Sequence, residues 1–261
     1  MKREIPILAD LVFLGGGHAQ ILAIKKFAMN PLPGLRLTVV TNDLRTPYSG
    51  MLPGFIEGVW QDNDIHIDIA HLAQYADARL INAPCTGIDA DGKTLFFENR
   101  PPLHFDLLSI NIGGEPDLSA IEGAENYTIP VKPISKFQAS FEFLLQSGLP
   151  EKISVIGGGA AGCELALAIN KRWHDHGVTP HITLYSRSDR LLSQMSSKAA
   201  NLMLTTLYDA GVKLQLGRAV QKIENNVLYY SPKTQNLPSS KKTSKIVNSQ
   251  DNYDACFLVS A

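Results

Sequence analysis

Apolar residues along this chain fall into short runs separated by glycine, proline and small polar residues, and the runs alternate between two periods. The first, Leu11–Leu14, is continuous, as in strands buried on both faces of a parallel sheet. Ala19–Met29 follows with helical spacing, the Pro31-Leu32-Pro33-Gly34 break ends it, and Arg36–Val40 reads as a second strand. Strand, helix and strand in that order predict a right-handed parallel βαβ unit. From Thr41 to Ile65, turn residues mix with Tyr48, Met51, Phe55 and Trp60, a loop long enough to suggest function. His66–Tyr75 has helical spacing, and Ala78–Asn82 reads as a strand. Ile88–Phe97 reads as a hairpin turning at Asp91-Gly92, and Phe105–Ile112 as a buried strand ending in Gly113-Gly114.

After a turn-rich crossing from Pro116 to Pro133 the plan repeats. Helices are predicted over Ile134–Gln146, Ala160–His176 and Ser197–Ala210, and strands over Ile153–Ile156, His181–Tyr185 and Val212–Leu216. Ala219–Glu224 and Val227–Tyr230 form a hairpin at Asn225-Asn226. The stretch 231–252 is rich in Ser, Lys, Asn and Gln and reads as a flexible insertion, after which Tyr253–Ala261 resumes as a buried strand. The fold class is α/β, with two Rossmann-like three-layer domains. The first spans 1–115, a crossing 116–133, the second 134–253, and 254–261 begins a return to the first.

Each half holds a glycine-rich turn between an apolar strand and a helix: Gly15-Gly16-Gly17-His18-Ala19-Gln20 and Gly157-Gly158-Gly159-Ala160-Ala161-Gly162. In such a turn the first Gly lets the chain reverse and the second lets backbone approach a pyrophosphate. The third lets helix and strand pack closely, while free N–H groups at the helix start face the phosphates. Two copies suggest two dinucleotides held against each other for hydride transfer. Gln20 stands where the first turn would carry its third Gly, so helix and strand are expected to pack less closely there.

Composition narrows the classes further. With 261 residues, 44% hydrophobic and 19% charged, the chain can build two cores of ordinary size. A net charge of −1 gives no electrostatic reason to expect nucleic acid. Lys2 and Arg3 before Ile5–Leu14 mimic a secretory signal, but Asp10 interrupts the run and the run feeds the glycine turn. No stretch approaches the roughly 20 apolar residues that span a bilayer, and the cytoplasm is the expected compartment. Cys85, Cys163 and Cys256 are widely spaced, so neither a zinc site nor a redox dithiol is expected. Cys163 starts a helix whose dipole could lower its pKa; a small residue packing on the sheet is the favoured alternative.

The glycine turns, with Thr46-Pro47-Tyr48-Ser49-Gly50-Met51-Leu52-Pro53 and Asp64-Ile65-His66-Ile67-Asp68, resemble the pyridine nucleotide-disulfide oxidoreductase superfamily. Within it they are similar to the dithiol-free branch of type II NADH dehydrogenases and sulfide:quinone reductases. Inside that branch the resemblance is to NADH dehydrogenase-like flavoproteins fused to, or encoded beside, selenophosphate synthetase. It runs over essentially the whole chain and implies FAD in the first domain and NAD(P)H in the second. Phe105–Ile112 with Gly113-Gly114 resembles the segment where small residues let chain and cofactor approach, and Tyr253–Ala261 resembles a second such segment. The family's FAD domain is discontinuous, with its last third after that point, so the first domain is expected to be incomplete here.

The implied activity passes hydride from NAD(P)H to FAD and electrons on to a quinone or a small selenium or sulfur species. Selenophosphate synthetase is the implied partner. Dimer or membrane-facing surfaces belong to the family's last third, which leaves a homodimer and peripheral attachment to the inner membrane face open. Three other readings stand: a membrane-associated quinone reductase, a non-catalytic nucleotide-binding module, and an inactive remnant. For FAD the resemblance points to Gly15, Gly16, Gly17, His18 and Ala19 at the pyrophosphate and Asn42 or Asp43 at the adenosine ribose. Thr46, Pro47 and Tyr48 would lie against the isoalloxazine, with Gly113 at the close approach. For NAD(P) it points to Gly157, Gly159, Ala160, Ala161 and Gly162, with Glu164 on the nicotinamide side. Ser186-Arg187, followed by Arg190, replaces the ribose-binding acid, which tilts the choice toward NADPH. Lys132, Glu164 and Tyr48 are the candidates near the chemistry. Their plain readings are an exposed lysine, a first-turn helix acid and a loop aromatic.

Overall fold

The computed structural model describes residues 6–232 and 249–259. It divides into two compact units, Met1–Ser49 with Asp62–Gly113, and Gly50–Gln61 with Gly114–Ala261. In chain order the first unit begins with β1 (Ala9–Leu14), α1 (His18–Met29), β2 (Leu35–Thr41) and β3 (Arg45–Pro47). The chain then places α2 (Leu52–Glu57) in the second unit before returning with β4 (His66–Asp68), α3 (Ile69–Tyr75) and β5 (Arg79–Asn82). β6 (Cys85–Asp89), β7 (Thr94–Phe97), β8 (Leu103–His104) and β9 (Leu107–Ile110) complete it.

Its main sheet is parallel, in the order β5-β2-β1-β9. Alternate residues of β1 enter different cores, which is why its apolar run is continuous. Phe13 packs with Ile24, Leu37, Val39, Ile69 and Ala73 on the side of α1 and α3. Val12 and Leu14 pack with Val40, Ile81, Leu95 and Phe105 on the side of the antiparallel sheet β6-β7-β8. The result is three layers, helices on sheet on sheet.

The second unit continues with α4 (Ala124–Tyr127), β10 (Ile129–Pro130), α5 (Ile134–Ser147), β11 (Lys152–Ile156), α6 (Ala160–Asp175) and β12 (His181–Ser186). It ends with α7 (Ser197–Asp209), β13 (Lys213–Leu216), β14 (Val220–Glu224), β15 (Val227–Tyr230), β16 (Ser249–Asn252) and β17 (Ala255–Leu258). The parallel order is β10-β17-β11-β12-β13. On the helical face Ile153, Val155, Ile182, Leu184 and Phe257 meet Phe137, Phe141, Ala166, Ile169 and Trp173. On the other face Ile156, Tyr185 and Leu258 meet the antiparallel sheet β14-β15-β16 through Ile223, Leu228 and Tyr230.

Several expectations are corrected. His66–Tyr75 is not one helix: β4 pairs with β3, and the Asp68 side chain accepts from His71 N–H at 2.9 Å, capping α3 at Ile69. Phe105–Ile112 is not a buried strand but the sheet edge, with Leu107, Ile110 and Ile112 exposed. The return to the first unit expected from residue 254 is not seen over the described residues, since β17 lies between β10 and β11 in the second unit, and residues 260–261 lie outside the described residues. The crossing 116–133 likewise belongs to the second unit. Of the supposed insertion, 233–248 lies outside the described residues, while Ser249–Asn252 is strand β16, paired with β15.

The long loop 41–65 contains α2, which buries Leu52 and Ile56 in the second unit's helical core and sets Phe55 beside Phe141. α2 ends at Gly58, φ +87°, and the Arg172 guanidinium from α6 closes that end with Nη1 donating to Glu57 O at 3.4 Å. A Cβ on Gly58 would collide with Arg172 Nη1. Gly58→Ala therefore puts a side chain on a left-handed backbone and makes the Arg172 guanidinium swing off Glu57 O, and should cost about 1–2 kcal/mol, most of it from the backbone. Gly114→Ala, where nothing lies within 4 Å, should stay within about 0.5 kcal/mol. Urea unfolding followed by tryptophan fluorescence, with Trp173 buried in this core, compares the two.

Candidate functional site

In the second unit, strand β11 runs into the turn and Gly157 N–H donates to Tyr185 O at 2.9 Å, fixing the reversal beside the end of β12. Gly157 has φ +132°, a conformation that side chains rarely adopt. A Cβ on Gly162 would collide with Gly157 O, so the helix α6 can approach the turn this closely only with glycine there. Around Gly159, by contrast, nothing lies within 4 Å of a Cβ position. The turn thus has one glycine closed by packing and one open to an incoming group, the geometry a pyrophosphate needs. Ala160 and Ala161 form the first turn of α6, and Glu164 is exposed one turn in, past the dipole's strongest reach.

Strand alternation decides what surrounds this turn. Tyr185 faces the other core and donates to Asp251 Oδ2 at 2.7 Å, while Ser186, buried, sets its hydroxyl where a Gly158 Cβ would stand. Arg187 is exposed just beyond. Arg190 is committed elsewhere, donating to Ser193 O at 2.7 Å, Met195 O at 2.8 Å and Ser197 Oγ at 3.1 Å. Of the two arginines, Arg187 is the one left to meet a ligand.

In the first unit Gly15 N–H donates to Val40 O at 2.7 Å and Gly17 N–H to Asn111 O at 3.1 Å. Thr46 Oγ1 stands where a Gly16 Cβ would be, and the rings of His18 and Tyr48 lie 4.2 Å apart at a 56° tilt. His18 and Ala19 are exposed and Pro47 half-buried; Gly113, φ +83°, has open space around it. Gly15, Gly16, Gly17, His18, Thr46 and Tyr48 are therefore together. Asp43 is partly spent, its Oδ1 accepting from Arg45 N–H at 2.9 Å, which leaves Asn42 the less committed of the pair. Lys132 is exposed in the second unit before a cis Lys132-Pro133 bond.

Two carboxamides shape the first turn. Gln20, 1% exposed, donates through Nε2 to Leu14 O at 3.1 Å and Ser109 O at 2.7 Å, filling the space between α1 and the sheet. Its Oε1 has no protein partner. Asn111, at the end of β9, lays its carboxamide on Gly17: a Cβ there would collide with Oδ1 and Cγ. The sequence pattern marks Gln20, at the place of the third glycine, but not Asn111, which stands two residues before the Gly113-Gly114 pair expected to let chain and cofactor approach.

Residues 9–247 match the family described as pyridine nucleotide-disulphide oxidoreductase. The chain belongs to this family. It is similar to the NADH dehydrogenase-like protein YutJ of Bacillus subtilis (strain 168), at 23% identity over 85% of this chain and 61% of that protein. It also resembles the solved water-forming NADH oxidase from Lactobacillus brevis bound to NADH, at 21% identity and TM-score 0.74, covering 97% of this chain and 54% of that one. An engineered NADPH oxidase made from that enzyme, solved with NADPH, gives 22% identity and TM-score 0.73, covering 97% and 54%. The chain thus spans between about half and three-fifths of these relatives. The shared architecture is the α/β, Rossmann-like FAD/NAD(P)-binding fold. No described helix is long and apolar enough to cross a membrane.

Cys163 lies fully buried in the helical core, where desolvation, and to a smaller degree the Glu164 charge, push its thiol up to about 11. Burial raises Cys256 further. The helix dipole does not activate Cys163. At pH 8 a thiol reagent should therefore titrate half-buried Cys85 in the folded protein and reach the other two only in denaturant. Fast native labelling at Cys163, located by peptide mapping, would contradict this. Because the folded pKa of Cys163 lies above the ordinary value of 9.0, its contribution to stability is present below pH 9. It is lost as pH rises toward about 11.

Proposed function

We propose that this chain is the nucleotide-binding part of an FAD-dependent NAD(P)H oxidoreductase of the NADH dehydrogenase or oxidase type. The observation that carries the reading is the second turn: Gly157 and Gly162 closed on each other, Gly159 open, and helix N–H groups beyond it. A flavin, when bound, supplies the acceptor for nicotinamide hydride and relays electrons onward. The chain's own residues bind and orient. Gly159 and the start of α6 take the NAD(P) pyrophosphate, and Ser186 and Arg187 take the adenosine ribose. Gly15, Gly16, Gly17 and Thr46 cradle FAD, with His18 and Tyr48 at the rim of that turn.

NADPH is the favoured donor. The engineered oxidase exchanges aspartate, alanine and methionine at three consecutive positions for alanine, arginine and serine, and it was solved with NADPH. Here β12 runs into Ser186-Arg187-Ser188, none of the three an acid, with Asp189 following and the uncommitted guanidinium of Arg187 placed to pair with a 2′-phosphate. The terminal acceptor is a quinone or a small selenium or sulfur species, with selenophosphate synthetase as partner and the cytoplasm as location. Support for the acceptor and the partner comes from the resemblance of Gly15–Ala19, Thr46–Pro53 and Asp64–Asp68 alone, and for the location from the lack of any apolar stretch of roughly 20 residues.

Calorimetric titration tests the reading. Arg187→Ala should weaken NADPH by about tenfold or more while NADH stays within about threefold. A wild-type preference for NADH that ignores this substitution would refute it. Gly159→Ala should keep the wild-type melting temperature and lose at least about tenfold in NADPH affinity, whereas Gly162→Ala should lose stability as well. Saturable nucleotide binding with no flavin reduction, even with FAD added, would instead favour the non-catalytic module.

A further inference from the structure

We propose that Asn111 is a phosphate-contacting residue of the first dinucleotide site, its carboxamide turning between Gly17 and the pyrophosphate of FAD. This rests on the FAD reading above and adds to it a side chain outside the glycine pattern. The main chain of Asn111 is pinned on both sides: its N–H donates to Leu14 O at 2.8 Å and its carbonyl accepts from Gly17 N–H at 3.1 Å. Gln20 holds the same corner, bonding Leu14 O and Ser109 O two residues upstream. What remains movable is the side chain, and it lies directly on Gly17, at the N-terminus of a helix of 12 residues.

Asn111 is half-buried as a residue, and its carboxamide makes no hydrogen bond to any described residue. A polar group so placed, without a protein partner, is expected to find one in water or ligand. In the second turn the equivalent glycine, Gly159, faces open space; at Gly17 that space holds Oδ1 and Cγ of Asn111. A carboxamide suits the position chemically. Its oxygen can face the positive end of α1 when no anion is there, and rotation about the terminal torsion presents two N–H donors to a phosphate. Alanine could do neither. A carboxylate would occupy the anion's place permanently and repel the pyrophosphate.

The test titrates FAD, followed by flavin fluorescence, and ADP and adenosine as competitors, into the wild-type chain and into Asn111→Ala, Asn111→Ser and Asn111→Asp. Circular dichroism and melting show which variants are folded. Asn111→Ala should bind FAD and ADP about tenfold more weakly, and Asn111→Asp at least about a hundredfold, with adenosine, which has no phosphate, unchanged. Asn111→Ser, the smaller polar change, carries the test if alanine fails to fold, and should also weaken FAD and ADP but not adenosine. Unchanged or tighter FAD binding by folded Asn111→Ala or Asn111→Ser would overturn the contact, making the side chain an obstruction or a bystander. If the wild-type chain takes up neither FAD nor ADP at the first site while NADPH still binds, the FAD reading itself falls, and this assignment with it.

Discussion

The close approach of α6 to its preceding turn is the constraint on which the second unit depends. Gly157 O stands where a Cβ of residue 162 would go, so the helix lies against the sheet with no room to spare. Next to Gly162 α6 carries the small residues Cys163 and Ala166, both fully buried, which keep its first turns close to the sheet. That closeness points the first N–H groups of α6 at the space beside Gly159. It also explains why Cys163, at what looks like an activating helix start, is an inert core thiol: packing has taken it out of the solvent that would stabilise a thiolate. One steric contact thus accompanies both the open space at Gly159 and the burial of the nearest thiol.

The first unit meets the same requirement differently. With Gln20 in place of the third glycine, contact between helix and sheet is made by a side chain, and the buried amide donates to two strand carbonyls, Leu14 O and Ser109 O. Its cost is visible in Oε1, a buried acceptor without a protein donor. The benefit is positional, since Leu14 and Ser109 are held together at the strand ends from which Gly15 and Asn111 emerge.

Much of this architecture was legible because burial on both faces leaves continuous apolar runs, and because glycine at a reversal has few substitutes. What could not be read was whatever depends on partners far along the chain. Ser249–Asn252 has no apolar alternation, and becomes β16 because β15 offers it an open edge and Tyr185 offers Asp251 a buried hydroxyl. α2 was hidden in a loop since its six residues include Pro53 and Gly54, and its stability comes from Leu52, Ile56 and the Arg172 cap. In the sites, the glycines were visible but their surroundings were not. Arg187 and Arg190 look alike in sequence, and three local acceptors remove Arg190 from contention.

Two turns of nearly the same sequence therefore present different surfaces to the same chemical group. At Gly159 no protein atom stands within 4 Å of a Cβ position, so a pyrophosphate proposed there would find open space. At Gly17 it would meet the Asn111 carboxamide, which on the proposal above exchanges its place against the helix start for a contact with the ligand. A preformed seat suits a substrate nucleotide that enters and leaves at every turnover, since little ordering is needed each time. A seat whose own side chain closes over the anion suits a cofactor that stays, because the added donor acts on dissociation more than on encounter. The difference between the two is carried by one residue, Asn111, and not by the glycines that make the turns look alike.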